Sequence, residues 1–214
     1  MAIKIRAATR DDADFLAQAM LSASRGHLGR GIWDLIVDTD EASRLEYLRL
    51  LAVAEPLSPY HYKSHLIAEV DGHPSATLSG FDMRNSGLAV VGQAMANVQK
   101  DLGWTEADLA ALRQRLVPAW TCFLPEIGAD WRIDNVATIL EYRRRGLANM
   151  LVNEMIQEGI NCKCKLAQIE ILIGNDAAQA TYEKLGFRVF DEKRSVEFAA
   201  VLDAPGLRRL VREL

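Results

Sequence analysis

Cysteine is scarce in this chain: three residues in 214, Cys122, Cys162 and Cys164. An odd count, with no export signal in the opening MAIKIRAATRDDADF, argues against a disulfide framework and for free thiols. Cys162 and Cys164 form a C-x-C pair, but a structural zinc site needs two further ligands at set spacing. The four histidines, at 27, 61, 65 and 73, lie in the first third of the chain. No metal is therefore expected. Long apolar runs are also lacking. No stretch approaches the ~18 residues of a membrane span, so no membrane is expected and the chain reads as soluble and cytoplasmic. Positive charge is not in excess. A formal net charge of -4 argues against a chain-wide grip on nucleic acid, though not against a local basic patch. Internal repeats, linkers and low-complexity segments are absent.

What is present is an ordinary globular composition with strongly patterned segments. IKIRAAT (3–9) alternates as a first strand, and DADFLAQAMLSAS follows as an amphipathic helix capped from Thr9 or Asp11. RGHLGRG (25–31) is a glycine-rich loop. It reads either as a substrate or anion loop or, preferably, as a helix stop at Gly26 with a connection after it, because no phosphate-loop spacing is present. DEASRLEYLRLLAVAE (40–55) is a second helix, ended by Pro56 and Pro59. Residues 64–82 read as a hairpin turning at Asp71-Gly72.

Residues 86–119 are expected to form two helices joined at DLGW, with a capping box from Thr105 to Asp108 and an end at Pro118. A strand over 130–140, a helix to about Gly159 and a strand over 165–174 come next. A short helix ended by Gly186 follows. FRVFDEKRSVEFAAVL reads as a last hairpin, and 205–214 as a short basic helix. The fold class is α/β (α+β), one domain over 1–214 with a mixed central sheet.

One stretch needs explaining. RRRGLA (143–148) sets three arginines ahead of a glycine at a strand-to-helix junction. Such a junction aims free backbone amides at one point, and the helix dipole adds positive character there. Gly146 lets the chain turn and lets a ligand approach without meeting a Cβ. An anion such as a pyrophosphate suits this place, and the arginines can face it. On spacing alone, a solvated basic turn fits as well.

VATILEYRRRGLANMLV, followed by IEILIGNDAAQATYEKLGF, resembles the GNAT superfamily of N-acetyltransferases. The resemblance is specific over roughly 131–190 and looser over 3–82. The usual proline before the tyrosine-arginine pair is Leu140 here, and the 86–119 insert is longer than the family's connection between its third and fourth strands. The resemblance implies a site for acetyl-coenzyme A in an opening between two central strands. The backbone of Val136, Ala137 and Thr138 would pair with the pantetheine arm. Arg143, Arg144, Arg145, Gly146, Leu147 and Ala148 would cradle the pyrophosphate, and Asn175 would bond the pantetheine near the thiol.

Tyr182 stands where the family often has a general acid for the departing thiolate; it also fits as a plain aromatic on an inner helix face. Asp134, two residues before Val136, is placed on that residue's face by strand alternation. It reads as a base, as an anchor for a cationic substrate, or as a cap for a backbone group. Glu69 and Glu126 are weaker candidates. The implied activity is acetyl transfer to a primary amine of an unidentified acceptor, expected to be a small molecule. A non-catalytic acyl-coenzyme A sensor and a protein amine acetyltransferase stand as alternatives. The acidic net charge favours a cationic acceptor. That acceptor is expected between the 25–31 loop and the insert, with Asp134 at its inner end. The apolar residues of the insert fit either core packing or a homodimer contact.

Overall fold

The computed structural model describes residues 2–85 and 87–214; Ser86, where the expected insert begins, lies outside them. Strand β1 (Ile3–Ala7) is followed by helices α1 (Ala13–Arg25), α2 (Ile32–Ile36) and α3 (Glu41–Leu51). The hairpin β2 (His65–Val70) and β3 (His73–Asp82) comes next, then α4 (Leu88–Asp101) and α5 (Glu106–Trp120). The remainder runs β4 (Trp131–Thr138), α6 (Leu147–Asn161), β5 (Leu166–Leu172), α7 (Asp176–Lys184), β6 (Arg188–Arg194), α8 (Val196–Leu202) and β7 (Gly206–Glu213). Among the described residues the strands form one sheet in the order β1-β2-β3-β4-β5-β7-β6. Every neighbouring pair is antiparallel except β4 and β5. The mixed α/β class expected from the sequence is the one observed.

Local chemistry sets the boundaries. The backbone N–H of Thr9 donates to Asp12 Oδ2 at 2.7 Å, closing the turn that starts α1. Gly26 at φ 59 ends that helix, as its capping position requires. Gly31 is fixed by space: a Cβ there would lie 2.4 Å from the Ser24 carbonyl oxygen. Gly26 and Gly31 therefore have structural roles of their own. Asp71 and Gly72 both take positive φ, 50° and 84°, which suits the tight hairpin turn. Thr105 Oγ1 accepts from the Asp108 N–H at the start of α5.

The sheet is covered on both faces. Helices α6 and α7 bury Leu151, Met155 and Tyr182 against Trp131, Ile133 and Ile169. On the other face α1, α2 and α3 bury Leu16, Met20, Trp33, Tyr47 and Leu48, and the insert joins them through Ala94, Val98 and Leu112. The insert thus packs on the α1 face rather than behind the sheet, and these apolar side chains are core.

Two expectations are corrected. The tail is not a helix but β7. Leu207, Leu210 and Leu214 have helical spacing, but the slot between β5 and β6 supplies ladder partners along the whole segment. It also buries Arg209 beside Asp191 at 2.6 Å. The last hairpin is instead β6 followed by α8. Ser195 Oγ accepts from the backbone of Glu197 and Phe198 and starts a helix where alternation suggested a strand. Pro118 lies in the last turn of α5, which ends at Trp120, in keeping with the end expected there. The short α2, which carries Trp33, was not anticipated.

Candidate active site

The parallel pair β4–β5 is joined only at its beginning, where Trp131 faces Ala167 and Arg132 faces Gln168. Beyond those pairs the strands part, leaving a wedge-shaped opening in the middle of the sheet. An inserted residue marks β4 at that level. Ser79 pairs with Asp134, but Thr77 pairs with Ala137, so one extra residue is accommodated on β4. Asn135 takes φ 55, and its side-chain amide donates to Ser79 Oγ at 3.0 Å. The bulge changes the side-chain phase and corrects the sequence expectation for Asp134. Val136 packs with the α6 core. Asp134 instead points to the opposite face, toward Tyr60 and Arg132.

The arginine loop sits at the open end of the wedge. A 3-10 turn over Leu140–Tyr142 leads from β4 into the loop. Arg143 Nε donates to the Thr138 carbonyl at 3.2 Å, and Arg145 donates to the Glu141 carbonyl at 3.2 Å. The Arg145 guanidinium also lies 5.2 Å from the centre of the Tyr142 ring. Two of the three charges are thus tied to backbone and ring, and all three residues stay exposed. Arg144 (φ 62) and Gly146 (φ 79) are left-handed, which turns the chain into α6. A Cβ added at Gly146 would meet nothing within 4 Å, so the space before the helix is open. The amides of Leu147, Ala148 and Asn149 have no acceptor among the described residues. Four features fit an anionic group: open space, free amides, the positive helix end and arginines.

Hollows of about 490 and about 220 Å³ run along α1 from this loop and share Gln18, Ser22 and Arg143. The smaller is floored by Ala137 and Thr138. Asn175 caps α7, accepting from the Ala178 N–H at 3.3 Å. Its side-chain nitrogen lies 3.1 Å from where a Gly26 Cβ would be. That nitrogen is the part of Asn175 left for a ligand.

Tyr182 projects from α7 under the wedge, only 5% exposed, with its ring edge-on to Phe187 at 6.3 Å. Burial, and secondarily the Asp134 charge, hold its phenol well above the ordinary tyrosine value. It therefore remains protonated at neutral pH and has a proton to give.

On the α1 face, Arg132 bridges two carboxylates: Asp134 at 2.7 Å and Glu170 at 3.0 Å. Burial raises the Glu170 carboxyl, and Arg132 opposes the rise. The Tyr60 phenol, packed edge-on against Trp33 at 5.0 Å, is pushed up to about 12 by burial and then by Asp134. Sequence reading missed Arg132, Glu170, Tyr60 and Trp33. The signal was present for two of them: polar residues at alternate positions of WRID and of QIEIL mark one polar face in each strand.

Ala137, Thr138 and Arg143 line one hollow, Asn175 lies beside Gly26 of the adjoining one, and Asp134 is close enough to Tyr182 for its charge to act on the phenol. Glu69 is elsewhere, paired with Arg6 at 2.6 Å on β2, and Glu126 is exposed on the connection before β4. His61 and His65 are buried and His73 is exposed. Among the described residues no group of three or more His, Cys, Asp or Glu side chains could hold a metal, and no helix is long and apolar enough to cross a membrane.

Comparison with known proteins agrees with this layout. No curated protein matches the chain in sequence. Among solved structures, one described as an acetyltransferase superposes with TM-score 0.69 at 16% identity, covering 98% of each chain. An N-acetyltransferase from Staphylococcus aureus superposes with TM-score 0.65 at 17% identity, over 98% of this chain and 100% of that one. A Drosophila melanogaster polyamine N-acetyltransferase that forms N-acetylagmatine superposes with TM-score 0.56 at 13% identity, over the whole of both chains. At such identities the likeness is one of fold. The model of the acetyltransferase (GNAT) family matches residues 31–187, well over half of the chain, and the protein belongs to that family.

Proposed function

We propose that the protein moves an acetyl group from acetyl-coenzyme A to the primary amine of a small cationic acceptor. The observation that carries this reading is the wedge between β4 and β5, with an open amide fan at one end and a protonated phenol beneath. The amides of Leu147 to Asn149 and the arginines would hold the pyrophosphate. The edge of β4 from Val136 to Thr138 and the Asn175 side-chain nitrogen would hold the pantetheine arm. Tyr182 would protonate the departing sulfur. A phenol kept neutral by burial supports turnover over mere sensing of the cofactor. The acceptor would enter from the α1 face, between the 25–31 loop and the insert. Asp134 and Glu170 set two carboxyl groups against the single guanidinium of Arg132 there, which suits an ammonium group. A cytoplasmic setting and a monomer or homodimer both accord with this reading.

The test is thiol release from acetyl-coenzyme A across a panel of amines, beginning with agmatine, together with calorimetry of coenzyme A. Release with at least one amine is expected. Coenzyme A binding without release from any amine would leave a sensor in place of an enzyme.

A further inference from the structure

The last ladder pair joining β4 to β5 is Arg132 with Gln168. The next residue along the same face is Asp134 on β4 and Glu170 on β5. The two carboxylates therefore flank the apex of the wedge, with Arg132 between them, its Nε on Asp134 and its terminal nitrogens on Glu170 at 3.4 and 3.0 Å. The two acids are not equivalent. The Asp134 side chain is 26% exposed and takes a short bond from Arg132; the Glu170 side chain is 14% exposed and is held at longer range.

We infer that Glu170 is the catalytic base that takes the proton of the acceptor ammonium, and that Asp134 anchors that ammonium while Arg132 positions both. This rests on the acetyl-transfer reading above. Glu170 is the less exposed of the two and the more loosely held by Arg132, and burial raises its carboxyl, which strengthens it as a proton acceptor. The groups facing it are Arg132 and Asp134 from β4, Arg209 from β7 and the Tyr60 phenol. Proton balance follows directly. The ammonium gives one proton to Glu170, and the free amine forms an N–C bond to the acetyl carbonyl carbon. The C–S bond breaks and the sulfur takes the Tyr182 phenol proton. The second amine proton returns to Tyr182, and Glu170 releases its own to solvent.

A base is needed only when the acceptor arrives protonated, and the experiment uses that difference. Thiol release is measured at neutral pH with agmatine, which is cationic, and with hydroxylamine, which is uncharged. Glu170→Gln should lower kcat with agmatine by ~10²–10⁴-fold and leave hydroxylamine nearly unaffected. Coenzyme A affinity should be unchanged. Asp134→Asn should raise the KM for agmatine and keep the acid limb of the pH profile, which Glu170→Gln should abolish. Equal losses with both acceptors, or full agmatine activity in Glu170→Gln, would overturn the assignment. A second measurement needs no acceptor. The Glu170 carboxyl, identified by its absence from the carbon-13 spectrum of Glu170→Gln, should titrate above the ordinary glutamate range in unliganded protein. Titration at or below that range overturns the assignment too. If the wild type releases no thiol with any amine, the functional reading itself fails; a wrong pattern among active variants sinks only the role of Glu170.

Discussion

Gly146→Val tests the anion site most directly, and two separate costs can be worked out for it. The first is conformational. Gly146 sits at φ 79, where a side chain strains the backbone by ~1–2 kcal/mol. Nothing lies within 4 Å of the added Cβ, so no protein clash adds to that. At ~2–4 °C per kcal/mol for a chain of this size, the melting temperature should fall by roughly 2–8 °C. The second cost appears only with ligand. The new side chain fills the space in front of the Leu147 to Asn149 amides. Losing one or two charge-assisted hydrogen bonds at ~1.5–3 kcal/mol each should weaken coenzyme A at least ~10-fold. Calorimetry with two ligands separates these costs. Pantetheine has no pyrophosphate and should bind wild type and variant alike, whereas coenzyme A should not. Equal coenzyme A affinity in a folded variant, or an equal loss with pantetheine, would refute the placement of the pyrophosphate.

Tyr182→Phe should slow turnover by ~10²–10⁴-fold with coenzyme A affinity intact; wild-type rates in stopped assays would move the acid role elsewhere. Asp12 is held down to about 2, first by its hydrogen bond with Arg6, against the opposing effect of burial. Its folded value lies below the unfolded ~3.9, so its stabilisation is complete above about pH 4 and is lost as the pH falls through about 2. Asp12→Asn should flatten that acid limb by roughly 2 kcal/mol in urea titrations, and an unchanged slope between pH 5 and 2 would count against it. Arg209→Ala removes bonds to Asp191 and to the Pro125 carbonyl from a side chain that is 1% exposed. Since Asp191 keeps some solvent, unfolding should show the lower end of ~3–5 kcal/mol lost; a loss below ~1 kcal/mol would mean water replaces the guanidinium.

Much of the local geometry around the arginine loop and α7 was legible because its requirements are local. A glycine before a helix, a capping asparagine and a tyrosine in the last turn of a helix that stops just before Phe187 are all set by near neighbours in the chain. The same holds for the first helix, the Asp71-Gly72 turn and the Thr105 cap. What escaped depends on contacts distant in sequence. Leu207, Leu210 and Leu214 satisfy a helical pattern until β5 and β6 stand on either side of them. Ser195 looked like a strand residue until its hydroxyl closed on two amides. Arg132 and Glu170 are 38 residues apart and meet only because β4 and β5 lie parallel. The face assigned to Asp134 was wrong for a related reason. Alternation counts residues evenly, and the extra one at Asn135 is visible only against β3.

That single inserted residue has a consequence for how the gene can change. Deleting Asn135 would leave Asp134 and Val136 in plain alternation, on the opposite faces they already occupy, with Ser79 and Thr77 still facing Asp134 and Ala137. It would cost the bond to Ser79 Oγ and the local kink, not the phase of the strand. β4 can therefore absorb the loss of one residue at this point. The loss of a second would turn every later side chain over and exchange the two faces of the strand.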